Sequence, residues 1–372
     1  MIKFELKLPK IVFGRGKIYE IGHLCEGLGK KAFVVTGKSS AQRSGSLNSL
    51  ISALSSQGKE VTTFSITQEP SVDDVDRARS YARGSDFIIG IGGGSVLDVA
   101  KATAGLLNED KPTADFLFGR AEIKAHPLPI IAIPTTAGTG SEVTKVSVLK
   151  AQINGKRIKS SIHHPNLIPS YSILAPELTL SCPPSITASA GLDALTHCIE
   201  SFFSREANPL SDAIAMQGIR LIMKNLQQAY EKGTYESREA MLLGSLCGGI
   251  SLSIAHLGAI HSLAHSLGAL KDIPHGIACG VFLPAVLKFN HTAIKEKLEF
   301  LANYLEMSPD SFLRKIEEML ELLGIPKSLK ELGVNEEEAE KIVEGCAYSR
   351  SLKYNPIPVS PSDLLSIVRS SL

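Results

Sequence analysis

Asp86-Phe-Ile-Ile-Gly-Ile-Gly-Gly-Gly-Ser-Val-Leu-Asp98 is an apolar run that stops at three consecutive glycines and resumes with helix-compatible residues. The run Asp86–Ile91 has the length and branching of a buried strand, and the period from Ser95 to Leu107 is helical. Gly92, Gly93 and Gly94 let the backbone approach a phosphate closely, and the helix start supplies N–H groups and a positive dipole end. Ser95 stands at a helix start with Asp98 in capping-box spacing. Outward from this stretch the same rhythm recurs. Lys31–Thr36, Val61–Ile66 and Pro129–Ile133 read as strands, and Gly45–Gln57 and Val72–Arg83 as helices. A βαβα alternation predicts a parallel sheet covered by helices, as in doubly wound nucleotide-binding domains. After the last of these strands comes a second loop, Pro134-Thr135-Thr136-Ala-Gly-Thr139-Gly-Ser141-Glu142, whose hydroxyls and glycines suit pyrophosphate, ribose or nicotinamide. Neither loop is GxGxxG or a Walker A sequence. Two loops at strand carboxyl ends predict a dinucleotide held across the sheet edge.

Strand signals stop near Pro183, and helical periods take over. The expected organisation is an α/β dinucleotide-binding domain over residues 1–180 and an all-helical metal-binding domain over 181–372. One helical period runs unbroken from Arg238 to Leu270. Within it Ala240–Leu270 carries no Asp, Glu, Lys or Arg and has the apolarity of a membrane span. Its three histidines favour buried helices around a metal instead. Met1–Leu8 reads as an edge strand able to pair with a second copy, giving a homodimer. The 372 residues are 44% apolar and 21% charged with a net charge of +1, which excludes recruitment of nucleic acid or an anionic membrane by a global field. Six scattered cysteines without a CxxC pair suit reduced, cytoplasmic thiols.

The helical half carries the chemistry. Gly191-Leu-Asp193-Ala-Leu-Thr-His197 puts a carboxylate and an imidazole four residues apart on one helical face. Gly258-Ala-Ile-His261-Ser-Leu-Ala-His265 repeats that spacing, and His275 follows ten residues later. One carboxylate with several imidazoles suits a borderline divalent ion such as Fe(II) or Zn(II). Core histidines satisfied by backbone carbonyls are the plainer alternative, less apt for five groups in this register. Glu200, three residues past His197, is either an orienting partner for an imidazole N–H or a solvated helix residue. Cys198 points about 100° away from His197 and is assigned to packing.

Together Gly92-Gly-Gly-Ser95 with Asp98, Pro134–Glu142, Gly191-x-Asp193-Ala-Leu-Thr-His197, and His261-x-x-x-His265 with His275-Gly276 resemble the iron-activated (group III) alcohol dehydrogenase family over essentially the whole chain. The resemblance implies a dehydroquinate synthase-like architecture. It implies metal ligands at Asp193, His197, His261 and His275, with His265 near the nicotinamide and not a ligand. Lys159 matches a lysine that reaches the cofactor, with His163 and His164 beside it in a loop. Many members carry an Asp after the first long strand that repels a 2′-phosphate. Here Gly37 takes that place, followed by Lys38 and Ser39, which predicts NADP(H) preference or dual use with NAD(H).

The function expected on this basis is hydride transfer between a small alcohol or aldehyde and the nicotinamide. The metal would act as a Lewis acid on the substrate oxygen and His265 as the proton relay. A zinc-dependent glycerol or polyol dehydrogenase is the alternative, and a dehydroquinate synthase-like lyase ranks below it. Phe116, Phe118, Phe202, Phe203 and Leu257 are candidate pocket walls.

Overall fold

The computed structural model describes residues 4–38, 45–67, 69–153, 155–347 and 349–372. The chain divides into two compact units. One comprises residues 7–183 with 234–242; the other comprises 184–233 and 243–372 with the N-terminal residues up to Leu6.

The α/β unit is built on eight strands: β1 (Lys10–Phe13), β2 (Lys31–Gly37), β3 (Glu60–Ile66), β4 (Phe87–Gly92), β5 (Ile130–Pro134), β6 (Val146–Ile153), β7 (Lys156–His163) and β8 (Tyr171–Leu174). Six form one parallel sheet in the order β1-β8-β5-β4-β2-β3. Its helices are α1 (Ile21–Leu24), α2 (Ser46–Ser56), α3 (Val72–Tyr81), α4 (Gly94–Leu106) and α5 (Thr113–Leu117). Alternating side chains explain why the central strands read as continuous apolar runs. Phe33, Val35 and Ile88 pack into a core with Val72, Val75, Val96 and Val99. Ala32, Val34, Phe87, Ile89 and Ile91 pack into a second core with Ile21, Leu47, Leu50 and Leu54. Both faces are therefore covered, and the strand order reverses between β2 and β4, the kind of crevice where such sheets take their ligands.

Three elements here depart from the sequence reading. Among the described residues, positions 4–9 form no strand, and the sheet begins at β1, which pairs with β8. The segment bearing Lys159 and His163 is not a loop but β7, paired antiparallel with β6 over eight residues. Phe116, expected as a pocket wall, is buried in the α/β core, and Phe118 packs against that core.

The helical unit contains α6 (Pro184–Phe203), α7 (Pro209–Glu231), most of α8 (Tyr235–Ala255), α9 (Ala259–Lys271), α10 (His275–Tyr304), α11 (Pro309–Leu322), α12 (Glu336–Cys346) and α13 (Pro361–Ser370). The period from Arg238 to Leu270 is two helices, not one. His256 takes a left-handed φ of 65° and the axis turns by 108° between α8 and α9. That break places His261 in the first turn of a new helix.

Candidate functional site

The phosphate loop lies where β4 ends and α4 begins. Gly93 is the N-cap in extended conformation with no side-chain cap, so the first-turn N–H groups have no hydroxyl or carboxylate folded over them. Ser95 lies inside the helix, and the capping box expected with Asp98 does not form. Asp98 turns away: it accepts from Ser141 Oγ at 2.6 Å and from Val148 N at 3.0 Å. A buried carboxylate gains more from a hydroxyl and an amide brought by the next loop than from a helix start it would have to reach back to. Asp98 and Ser141, both expected at the cofactor, thus bond to each other, and Asp98 ties the second loop and β6 to α4.

The two loops are in close contact. A Cβ on Gly94 would lie 2.4 Å from Thr139 Cγ2, and one on Gly93 3.4 Å from Thr136 Oγ1. Glycine is needed at 94 for that approach. Thr135 is buried, and its Oγ1 has no hydrogen-bond partner among the described residues. An orphaned hydroxyl and uncapped amides at the carboxyl end of a central strand are groups a dinucleotide phosphate would satisfy. Gly37 ends β2 opposite Ile66, and Lys38 N donates to Ile66 O. Ser39 lies outside the described residues. Lys159 lies on β7 with Nζ 3.3 Å from Glu69 Oε1, and Lys150 Nζ is 2.8 Å from Glu69 Oε2.

Lys101, which no motif signalled, and Glu142, the last residue of the second loop, brace this loop pair. Lys101 is fully buried. Its ammonium donates to the carbonyls of Ser141 (2.9 Å) and Val146 and lies 3.5 Å from Asp98. Glu142 is buried, and its Oε1 has no hydrogen-bond partner among the described residues. Burial pushes its carboxyl from an ordinary 4.5 up to about 7, against the pull of its own backbone amide and of Lys101. A carboxyl raised in the folded state stabilises fully below its unfolded pKa, and that contribution is lost as pH rises through the folded one. Unfolding free energy should therefore fall between about pH 4.5 and about pH 7, by up to about 3 kcal/mol from this group. Urea titrations across that window should show the fall in the native protein and a flattened trend in Glu142→Gln. An unchanged slope in the variant would place the loss elsewhere.

In the helical unit, Asp193 and His197 leave the same face of α6, as their spacing predicts. His197 Nε2, His261 Nε2 and His275 Nε2 lie 3.6, 3.4 and 3.6 Å from one atom, Asp193 Oδ1. Three helices converge there. α6 brings Asp193 and His197, α9 brings His261 in its first turn, and α10 brings His275 as its first residue. The rings of His197 and His261 stack at 4.6 Å. His265 stands beside the cluster, its ring stacked on His275 at 4.9 Å and 6.3 Å edge-on from His261.

Glu200, whose role the sequence left open, is settled by geometry. It is buried and accepts from His261 Nδ1 at 2.5 Å and from Ile260 N at 2.7 Å. Its carboxylate caps α9 and holds a proton on His261 Nδ1, so that the neutral ring carries its lone pair on Nε2. That Nε2 is buried without a hydrogen-bond partner and points toward Asp193. Burial alone would lower the pKa of His261, but the carboxylates of Asp193 and Glu200 on either side of the ring raise it to about 9. Burial also opposes ionisation of Asp193, yet His197, His275 and His261 hold its carboxyl well below the usual range. The cluster brings one carboxylate oxygen and three imidazole nitrogens together, a donor set that fits a divalent cation. Cys279, one turn after His275, brings its Sγ to 4.0 Å from Asp193 Oδ1 and was not signalled by any motif. Cys198 packs, buried, with Sγ 3.8 Å from Gly244 O. Phe202 is fully buried beneath Lys297, and Phe203 lines a small cavity beside Glu200.

This arrangement has close counterparts. Residues 9–176 match the family model for iron-containing alcohol dehydrogenase, and residues 187–372 match that for the Fe-containing alcohol dehydrogenase family, C-terminal. The chain is 34% identical to a 1,3-propanediol dehydrogenase of Citrobacter freundii, over 99% of this chain and 98% of that one. It is also 34% identical to an NADPH-dependent butanol dehydrogenase of Clostridium saccharobutylicum, over 92% and 90% of the two chains. The solved structure of an iron-containing alcohol dehydrogenase from Thermotoga maritima superposes with a TM-score of 0.87 at 36% identity, covering 100% and 99% of the chains. These relatives support that reading and not the zinc polyol alternative. With both halves matched and the carboxylate–imidazole cluster in the helical one, the chain is an enzyme of the iron-containing alcohol dehydrogenase family.

Proposed function

We propose that this enzyme interconverts small apolar alcohols and aldehydes, with Fe(II) held by Asp193, His197, His261 and His275 and with NADP(H) as the preferred nucleotide. The observation that carries the proposal is the convergence of three imidazole nitrogens on Asp193 Oδ1, with one tautomer fixed by Glu200. A divalent ion in that position supplies Lewis acidity to the substrate oxygen. The protein's own part is positional. Asp193 provides the compensating charge, and Glu200 keeps the lone pair of His261 pointed inward. His265, its ring stacked on that of His275, takes the alcohol proton or returns it to the aldehyde. The loops Gly92–Ser95 and Thr135–Thr139 hold the dinucleotide phosphates. Gly37 and Lys38, with no carboxylate at the end of β2, accommodate a 2′-phosphate, in keeping with the NADPH-dependent relative.

Anaerobic oxidation of NADPH by metal-stripped protein with butanal, before and after Fe(II), tests the reading. Activity should appear only with metal and should be greater with NADPH than with NADH. Metal-independent turnover would overturn it. His265→Ala should lower kcat by roughly 10²–10⁴-fold while metal stoichiometry stays intact; loss of the metal would make His265 a ligand instead of a relay. A homo-oligomer is part of the same proposal. β1 pairs on one side with β8 and stands at the end of the sheet, an edge a second copy can extend. A monomer mass by light scattering would remove it. Among the described residues no two cysteines are joined, which suits a reducing cytoplasm.

A further inference from the structure

The start of α9 is capped by side chains that come from distant segments. Gly258, its N-cap, offers no side chain, and the first-turn amides of Ala259, Ile260 and His261 belong to buried residues. Glu200 Oε1 accepts from Ile260 N at 2.7 Å and Glu200 Oε2 from His261 N at 3.4 Å. The remaining amide, Ala259 N, donates to Asn355 Oδ1 at 3.3 Å, across 96 positions of sequence. Asn355 is buried, and its carboxamide uses both donors and both lone pairs. Oδ1 accepts from Ala259 N and from Asn290 Nδ2 at 3.2 Å, while Nδ2 donates to Asn290 Oδ1 at 2.8 Å and to Ile357 O at 3.0 Å. Asn290 lies on α10, so one side chain spans the helix that carries His261 and the helix that carries His275. Glycine at 258 leaves room for this arrangement: a Cβ there would stand 3.0 Å from both Asn355 Oδ1 and Glu200 Oε1.

We propose that Asn355 is a positioning residue for the metal centre. It ties the first turn of α9 to α10 and so fixes the separation of His261 and His275, whose ring centres lie 5.3 Å apart. The inference rests on the metal-centre reading above and leaves its ligand set unchanged. Ligands held in place before an ion arrives lose little conformational freedom when they bind it, so the tie acts on affinity without touching the ion. Glu200 fixes the tautomer of His261 and two of the α9 amides; Asn355 supplies what Glu200 does not, the link to the second ligand-bearing helix.

Co(II) titrated into the metal-stripped full-length protein tests this without an activity assay, with visible d–d bands reporting the site and competition with a chelating dye its affinity. Asn355→Leu removes all four side-chain bonds at nearly constant volume and should weaken Co(II) binding by about 10- to 100-fold. Asn290→Ala breaks the tie to α10 but leaves the bond to Ala259, and should weaken binding by about tenfold. Ser308→Ala removes the N-cap of α11 and should lower the urea midpoint while Co(II) affinity stays native. With Fe(II) in excess, kcat should fall in both asparagine variants while KM for NADPH moves by less than about twofold. If Asn355→Leu does not fold, Asn290→Ala carries the comparison. Native affinity in Asn290→Ala would overturn the proposal. An equal loss in Ser308→Ala would overturn it too, because affinity would then follow stability alone. A native protein that binds no Co(II) would overturn the metal-centre reading, and the role of Asn355 with it.

Discussion

Asp193→Ala is expected to abolish metal retention and to lower kcat/KM by at least about 10³-fold, since Lewis-acid activation is worth several kcal/mol and each decade of rate about 1.4 kcal/mol. The position differs from its neighbours in two ways. Its Oδ1 is the atom that three imidazole nitrogens face, at 3.4 to 3.6 Å. It is also the carboxylate of the cluster, because Glu200 turns its oxygens to the far side of His261 and to the amides of α9. Without it a divalent ion would meet neutral imidazoles in a buried site, with no charge to offset its desolvation. The fold should survive. Alanine suits the interior of α6. The checks are metal content by elemental analysis, initial rates with Fe(II) supplied in excess, and a thermal melt. Full metal content in the variant would mean that the ion lies elsewhere.

How much of this was legible beforehand follows from the kind of signal each element carries. β2, β4 and β5 are buried on both faces, so their apolar runs stand out, and glycine runs mark where two of them meet ligand loops. Asp193 and His197 were legible because helical geometry alone puts residues four apart on one face. β8 is only four residues long, and β6 and β7 carry Lys150, Arg157 and Lys159 among their apolar positions, so neither periodicity nor hydropathy marks them. The break at His256 is written in one left-handed φ on a histidine, with no proline to announce it. Asp98 kept the spacing of a capping box, but its partners, Ser141 and Val148, arrive from more than forty residues away. Cys279 is equally remote, 86 residues from the carboxylate it approaches. Local rules reach the elements; contacts between distant segments decide which side chains share a site.

Gly276→Ala should destabilise the helical unit by about 3 kcal/mol or more, the upper end of what overpacking costs, and should weaken metal binding as well. A Cβ at this position would stand 1.7 Å from the carbonyl oxygen of Ser189 and 2.5 Å from its carbonyl carbon. Those are backbone atoms in the interior of α6, so no rotamer change relieves the clash. Either α10 moves away from α6, or the carbonyl tilts out of its helix. The backbone at 276 is not in the left-handed region, so the requirement for glycine is one of space and not of dihedral angle. Because His275 precedes it and Asp193 lies one turn beyond Ser189, any such shift separates the two residues whose 3.6 Å approach helps define the site. The variant should therefore lose stability in urea and, under conditions where it remains folded, bind Co(II) more weakly than the native protein. A variant with native stability and weakened metal binding would mean that α10 shifts at little cost. Native values for both would show that the contact between α6 and α10 is slack, and that Gly276 does not set the position of His275.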